Sequence, residues 1–549
     1  MHSSQQKSSL FANLMLIAGS LVVTVLMLVV LEAGLRLAGI GAADEAVASR
    51  LKYQQIYLPV IQPSQRPDGT DILRTTDSRL PYQSILAEKP ADGLRIFTFG
   101  GSATAGLGFS PNVTFARHLE RMLETAYPER TVEVVNLGIV ALAARQVRVL
   151  VEDACRNFEP DAVLVYSGNN EFLEMHAEKY AAANAGMLAR LGDHLLKTNL
   201  YRLLDRILRG PPDTPSLGNQ NMSIADLQMT EDELIRDIEV TPEEIEAVND
   251  RYEKTIDGMV SACRELQVPV VLMTVASNWE WRGREDLPAD WLDEIVAGRD
   301  IPDTGRLRRA RDVLSEQIET SPARERYELL FRRAMVSAEL GDIQSARDDF
   351  RASMNNDPHL RRALDSFADR VRKVATQRDV TLVDVVEHLS SQARHGITGF
   401  DEFYDYVHFT PRGVVLVAAE VFRAMVDAGI RPEPDGFDPD DYQQARLDWQ
   451  AGLPRDPLDA GDWMGFGFER SGIADRDLWK YDKFIQSLDE RIDASPDDVH
   501  ALVYRGNAHA FRVDGAAQAA RDYQAALAIA AGDTVIRSNL ERLLFERQP

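Results

Sequence analysis

Ser102 stands in Gly100-Gly101-Ser102-Ala103-Thr104, directly after the apolar run Leu94-Arg95-Ile96-Phe97-Thr98-Phe99. The run reads as a buried strand, and the two glycines predict a sharp turn at its end. A hydroxyl held at the carboxyl end of a strand in an open α/β sheet lies where such folds gather their sites, and serine is a nucleophile once a base is near. Far downstream the chain offers Asp405-Tyr406-Val407-His408. An aspartate three residues before a histidine can orient the ring; Asp401 is a rival acid at a poorer spacing. Serine, histidine and aspartate are the parts of an acyl-transfer triad.

These residues need a frame to bring them together. After the first run, Val132–Asn136, Asp161–Tyr166, Val268–Val275 and Val380–Val385 read as four further strands, rich in β-branched residues. Continuous apolar runs of this kind suit parallel strands covered on both faces. Helical patterns fall between and after them at Thr114–Tyr127, Ala141–Asn157, Pro242–Leu266 and Gly413–Met425. The alternation predicts an α/β fold: a doubly wound, parallel, five-stranded sheet of flavodoxin-like three-layer type. Two further polar segments follow strands, Asn136-Leu137-Gly138 and Ser167-Gly168-Asn169-Asn170-Glu171.

The four segments, in this order and strand context, resemble those of the SGNH (GDSL-type) hydrolases, over about residues 94–180 and 250–425. The resemblance implies Ser102 as nucleophile, His408 as base and Asp405 as its orienting acid. It implies an oxyanion hole from the backbone N–H groups of Ser102 and Gly138 and the side-chain amide of Asn170. Two positions depart from the commonest pattern: Gly101 and Glu171 stand where aspartates often flank the serine and the asparagine. Gly101, Glu171 and Asn278 are expected to line the cleft, Asn278 in a loop with Trp279 and Trp281 after the fourth strand. The implied activity is ester hydrolysis through an acyl-enzyme, on an acylated small molecule, glycan or cell-envelope substrate, with no metal or organic cofactor. An O-acetyltransferase using the same triad, or a non-catalytic scaffold acting through helical repeats, are the alternatives.

With 549 residues the chain has room for more than one domain. Its net charge of −25, from 86 acidic and 61 basic residues, argues against nucleic acid as the main partner. The two cysteines, Cys155 and Cys263, are too few for a disulfide framework or a metal cage and read as small buried hydrophobes. Leu14 to Leu31 carries no charge and predicts a retained single-pass membrane anchor within 1–40, followed by a linker over 41–93. With the resemblance, this implies a bacterial inner-membrane protein whose catalytic domain, 94–430, lies on the extracytoplasmic side.

Two insertions interrupt the alternation, at about 175–245 and 280–365. The first contains an amphipathic pattern over Met187–Arg209 with a basic face. The second contains a helical hairpin over about 324–358: Gly341-Asp342 marks the turn, and Ala346, Phe350 and Ser353 follow at tetratricopeptide-like spacing, with Pro358 after them. Ala519, Tyr523 and Ala526 repeat that spacing, so 431–549 is expected to hold a helical repeat region able to dock a protein partner.

Overall fold

The computed structural model describes residues 56–66, 68–107, 114–184, 240–281, 303–431, 433–451, 478–511 and 515–545, with parts of 19–40 and 198–204 and the pairs 52–53 and 221–222. The chain forms two compact units, one from Met1–Tyr57 with His176–Leu234 and one from Leu58–Met175 with Ile235–Pro549.

In the smaller unit Lys52–Tyr53 pairs in parallel with Asn221–Met222. The Glu32 carboxylate accepts the N–H groups of Asn199 and Leu200, each at 2.9 Å, at the start of a helical turn. Among the described residues no helix is long and apolar enough to cross a membrane. The apolar segment Leu14–Leu31 lies partly outside them, as does most of Met187–Arg209.

Among its described residues the larger unit carries eight strands: β1 (Ile61–Gln65), β2 (Asp71–Thr75), β3 (Ser84–Leu86), β4 (Leu94–Gly100), β5 (Val132–Gly138), β6 (Ala162–Tyr166), β7 (Val270–Met273) and β8 (Thr381–Val383). β4 to β8 form one parallel sheet in the order β8-β7-β6-β4-β5. This is the expected doubly wound sheet, with its reversal of strand order between β4 and β6. Every residue of β4, β5, β6 and β7 is buried, as apolar runs covered on both faces require.

The helices are α1 (Ser102–Ala105), α2 (Phe115–Ala126), α3 (Ala144–Asn157), α4 (Glu171–Asn184), α5 (Pro242–Glu265), α6 (Asp303–Thr320), α7 (Ala323–Glu339), α8 (Ile343–Asn355), α9 (Asp365–Arg378), α10 (Val385–Gln392), α11 (Pro411–Asp427), α12 (Pro439–Ala451), α13 (Leu478–Ala494), α14 (Val499–Phe511), α15 (Ala516–Ile529) and α16 (Thr534–Phe545). Their starts are set by local chemistry. Thr241 and Glu244 form a capping box before α5, and Thr410 caps α11 with Pro411 at its first position. Cys155 on α3 and Cys263 on α5 are buried free thiols with their sulfurs 3.7 Å apart.

The segment read as a linker contains more order than expected. β1, β2 and β3 form an antiparallel sheet. It meets the outer edge of the main sheet at two points: Gln83 accepts the Asn136 N–H at 2.7 Å and donates to the Asn136 carbonyl at 2.8 Å, and the Leu86 N–H donates to Glu133 at 2.6 Å. An amide imitates there the neighbouring strand that an edge lacks. At the far end of β4, buried Arg95 bonds Glu133 at 2.7 Å and the carbonyls of Leu86 and Phe158.

Both helical hairpins form. α7 and α8 turn at Gly341, whose φ is +78°, and pack Phe331 against Phe350 with ring centroids 5.4 Å apart. α14 and α15 bury Ala519, Tyr523 and Ala526, and Gly506 leaves space for the Tyr523 ring.

At the carboxyl end of the sheet there is no room for side chains. A Cβ on Gly100 would lie 2.0 Å from the Tyr166 carbonyl oxygen, and one on Gly138 would lie 2.2 Å from the Ala105 nitrogen. Both glycines let α1 settle onto the strand ends. Gly138→Ala is therefore expected to destabilise the fold by about 1–3 kcal/mol, the usual range for overpacking. Chemical denaturation with an unchanged m-value checks it; a stability equal to wild type would refute the packing account.

Candidate active site

The site is built from the ends of three sheet strands and one later loop. Ser102 is the first residue of α1, entered from β4 through Gly100 and Gly101. As the first helical residue, its N–H has no acceptor within the helix. The elbow is fastened by Thr104, whose hydroxyl donates to the Tyr166 carbonyl at 3.0 Å, and by Asn136, whose amide donates to the Thr104 carbonyl at 2.7 Å.

His408 arrives on a short loop closed by a bridge between Phe403 and Phe409, with the Tyr404 N–H bonded to the His408 carbonyl at 3.0 Å. Asp405 organises the loop from within. Its Oδ1 accepts the N–H groups of Val407 and His408 at 2.9 and 2.8 Å, and its Oδ2 lies 2.5 Å from His408 Nδ1. His408 Nε2 lies 2.7 Å from Ser102 Oγ. Burial by itself would raise the Asp405 carboxyl. The His408 charge, the ring bond and the two N–H groups outweigh it and hold the carboxyl below its usual range. An ionised Asp405 fixes the tautomer: Nδ1 donates to the carboxylate, and Nε2 is left to accept from the serine hydroxyl. Tyr404 stacks on the His408 ring with centroids 5.7 Å apart, and its hydroxyl donates to the Leu107 carbonyl at 2.7 Å. His408 is thus held to the chain just beyond Ser102. Asp401 is exposed and takes no part in this array.

Asn170 follows β6, and its Nδ2 donates to the Leu142 carbonyl at 2.9 Å, which uses one of its two hydrogens. A Cβ on Gly101 would lie 2.4 Å from that same Nδ2. Gly101 thus belongs to the elbow rather than to an open wall. Its lack of a side chain is what lets the amide approach the serine turn.

Three further expected roles are corrected. The Gly138 N–H donates to Asn136 Oδ1 at 2.9 Å, so it is spent inside the fold and is not offered to an oxyanion. Asn278 is fully buried, not cleft-lining: its Nδ2 donates to the Asp405 carbonyl at 3.0 Å and its Oδ1 accepts the Glu280 N–H at 2.9 Å. It braces the Asp405 loop from behind. Glu171 is also buried, with Oε1 accepting the Ala144 N–H at 2.8 Å at the start of α3. Burial first, and the neighbouring Glu174 second, push its carboxyl up to about 7. Glu174 itself is met by Arg145 at 2.7 Å and Gln146 at 2.5 Å.

One feature escaped the sequence reading. In the turn after β5, Ala141 has φ +62°, a left-handed conformation that costs a non-glycine residue energy. The neighbouring Leu142 carbonyl lies 3.2 Å from where a Cβ on Gly101 would sit, so this turn packs on the elbow. Among the described residues the Ala141 N–H has no acceptor. An alanine gives no sign in the sequence that it will take this conformation.

Chemically, the array holds a hydroxyl against an imidazole nitrogen whose far side faces a carboxylate, beside an amide with one hydrogen to spare. That is an arrangement for nucleophilic acyl transfer.

No family model matches the chain, and no curated protein matches it. Solved structures do. LAE5, described as an alpha/beta hydrolase enzyme from the metagenome of Lake Arreo, Spain, is 16% identical, with 62% of this chain and 96% of that chain covered at a TM-score of 0.27. The acetyl xylan esterase AlAXEase is 13% identical, with 60% and 99% covered at a TM-score of 0.28. A GDSL-like lipase from Bacteroides thetaiotaomicron is 12% identical, with 63% and 93% covered at a TM-score of 0.28.

Two variants test the geometry. Gly101→Ala forces its methyl group into the Asn170 amide, so kcat on an ester substrate should fall about tenfold or more with KM little changed, the signature of a lost transition-state contact. Equal kinetics would show that the amide has no such role. Glu171 titrates at about 7 in the folded chain and near 4.5 when unfolded, so the folded state holds its proton more tightly. Its contribution to stability is fully present below pH 4.5 and is lost as pH rises through 7. Glu171→Gln removes that loss. Its stability relative to wild type should climb between pH 5 and 8, by roughly 3 kcal/mol at most at about 1.4 kcal/mol per pKa unit. A difference that does not vary with pH would refute the assignment.

Proposed function

We propose that this chain is a serine esterase that cleaves a carboxylic, O-acyl ester through an acyl-enzyme. The observation that carries the proposal is the continuous hydrogen-bond line from Ser102 Oγ through His408 to Asp405.

Ser102 Oγ attacks the ester carbonyl carbon while His408 Nε2 takes the hydroxyl proton. Asp405 stabilises the imidazolium that results and does not itself become protonated. The carbonyl oxygen gathers the negative charge, and the Ser102 N–H and the second hydrogen of the Asn170 amide are suited to receive it. The Ala141 N–H takes the third place, where Gly138 was expected. The tetrahedral adduct collapses by breaking the bond to the alcohol oxygen, which leaves with the proton from His408. Water then attacks the acyl-serine, gives a proton to His408, and the second adduct releases the carboxylic acid as the proton returns to Ser102. No added group enters any of these steps. We place the reaction on an acylated glycan or cell-envelope molecule, at a membrane to which the N-terminal segment fastens the chain.

A fluorophosphonate probe tests the nucleophile directly. Wild type should be labelled at Ser102, and Ser102→Ala should lose both the label and at least a thousandfold of kcat on an acetyl ester, the scale of loss expected when a triad member is removed. Equal labelling of wild type and variant would overturn the proposal.

A further inference from the structure

The edge of the main sheet leaves a space that the chemistry at Ser102 does not use. β3 runs beside β5 in the opposite sense: Gln83 meets Asn136 and, three residues on, Leu86 meets Glu133. The two strands belong to different sheets, and side chains span the gap between them. A cavity of about 210 Å³ lies there, bounded by residues 83–86 and 131–135, by Arg117 and Glu120 of α2, and by Arg66, Arg537 and Glu541. It lies toward the amino end of β5, whereas Ser102 follows the carboxyl end of β4.

Its carboxylates are engaged and its guanidinium groups are not. Glu120 accepts the Val134 N–H at 3.1 Å and Arg117 Nη1 at 2.7 Å. Glu133 accepts the Leu86 N–H at 2.6 Å and Arg95 at 2.7 Å. Glu541 accepts the Ser84 hydroxyl at 3.1 Å and lies 3.2 Å from Arg66 Nε. Arg117 is only 6% exposed, yet among the described residues Nη1 is the one guanidinium nitrogen with an acceptor, so Nε and Nη2 are left over. Arg66 Nε is buried and out of hydrogen-bond alignment with any acceptor among the described residues. Arg537 is exposed, on the solvent side of the cavity, and uses one nitrogen on the Ala531 carbonyl at 2.8 Å.

A buried donor without an acceptor costs free energy, so the cavity suits a molecule that brings acceptors. Its charge sets how many. Arg66, Arg117 and Arg537, with the Arg95 that pairs to Glu133, stand against Glu120, Glu133 and Glu541, an excess of one positive charge. Ile85, Val132 and Val134 add apolar lining. A cavity of roughly 150 Å³ holds benzene, so there is room here for one ring with a small substituent.

We infer that this cavity binds a small organic anion with one carboxylate and an apolar body. Arg117 receives the carboxylate through Nε and Nη2, which point as a fork matching two oxygens, and Arg66 and Arg537 add positive charge around it. The site is separate from the triad and does not depend on Ser102 being a nucleophile.

Benzoate and benzamide, alike in shape and different in charge, are the probes, titrated calorimetrically into the full chain in detergent. Benzoate should bind at one site, about tenfold or more tighter than benzamide, and its affinity should fall as salt rises. Arg117→Gln combined with Glu120→Gln removes both charges of the buried pair together and should weaken benzoate about tenfold or more, with the unfolding midpoint showing that the fold is kept. Arg537→Gln leaves the buried pair alone and should weaken benzoate about twofold or more. No benzoate binding up to about 10 mM, benzamide bound as tightly, or a benzoate affinity unchanged in both variants, as binding at the triad would give, overturns the site. Inorganic phosphate bound more tightly than benzoate overturns the carboxylate assignment. Fluorophosphonate labelling of Ser102 reports the nucleophile independently, so the failure of one reading is not mistaken for the failure of the other.

Discussion

The structure depends on a steric constraint at the carboxyl edge of the sheet. α1 must come down on the ends of β4, β5 and β6 so closely that two adjoining strand ends tolerate no Cβ, at Gly100 and Gly138. This closeness lets Thr104 reach the Tyr166 carbonyl and lets Asn136 reach Thr104. Each bond stitches the Ser102 turn to a different neighbouring strand. The sheet order places β4 between β5 and β6, so Ser102 has a strand end on each side and the Asn170 amide within reach. Ser102 is thus held by backbone and by small residues, and its hydroxyl keeps one task.

Charge is distributed to serve that arrangement. Away from the site, buried charges are paired in place: Arg95 with Glu133, and Arg117 with Glu120 at 2.7 Å. Such pairs fix geometry more than they add net stability. At the site the one depressed carboxyl is Asp405, where the surrounding donors favour the charge that the imidazolium will need. Glu171, one residue from Asn170, goes the other way. Buried next to Glu174, it holds its proton more readily than an ordinary carboxyl, and it does so while capping α3. Two acidic groups of one region are driven apart by their surroundings, donors and a histidine around Asp405 against burial and a neighbouring carboxylate around Glu171.

How far the sequence could show this follows from which interactions are local. The strands were legible because five apolar runs, each bounded by turn residues, can satisfy only a covered parallel sheet. The Asp405–His408 spacing was legible because both partners lie in one short loop. Gly138 misled because Asn136-x-Gly138 is a local pattern, and the fate of the N–H is decided within it: the asparagine side chain bends back and takes it. Asn278 misled for the opposite reason. Its position after β7 pointed to the cleft, but its partners belong to a loop more than a hundred residues away. The three-stranded sheet over 61–86 was legible only as a linker with a short strand or two, because its strands are short, one contains Pro63, and its partners Asn136 and Glu133 lie on another sheet's edge.

The helical insertion gains a different meaning from its packing. Read along the chain, the α7–α8 hairpin is material added between two strands. In the fold, Phe331 and Phe350 share one apolar cluster with Trp279 and Ile397. Trp279 lies one residue beyond Asn278, and its N–H bonds the Thr398 carbonyl at 2.9 Å. The hairpin core is therefore continuous with the scaffold behind the Asp405–His408 loop. The chain that leaves α8 passes Arg361 and Arg362 before entering α9, so the same insertion delivers two guanidinium groups over the Trp281 ring, one of which also bonds the Asn278 carbonyl. An insertion that only decorated the sheet could be varied freely. This one shares its core with the loop behind His408, so a change in that core reaches the geometry around the His408 ring.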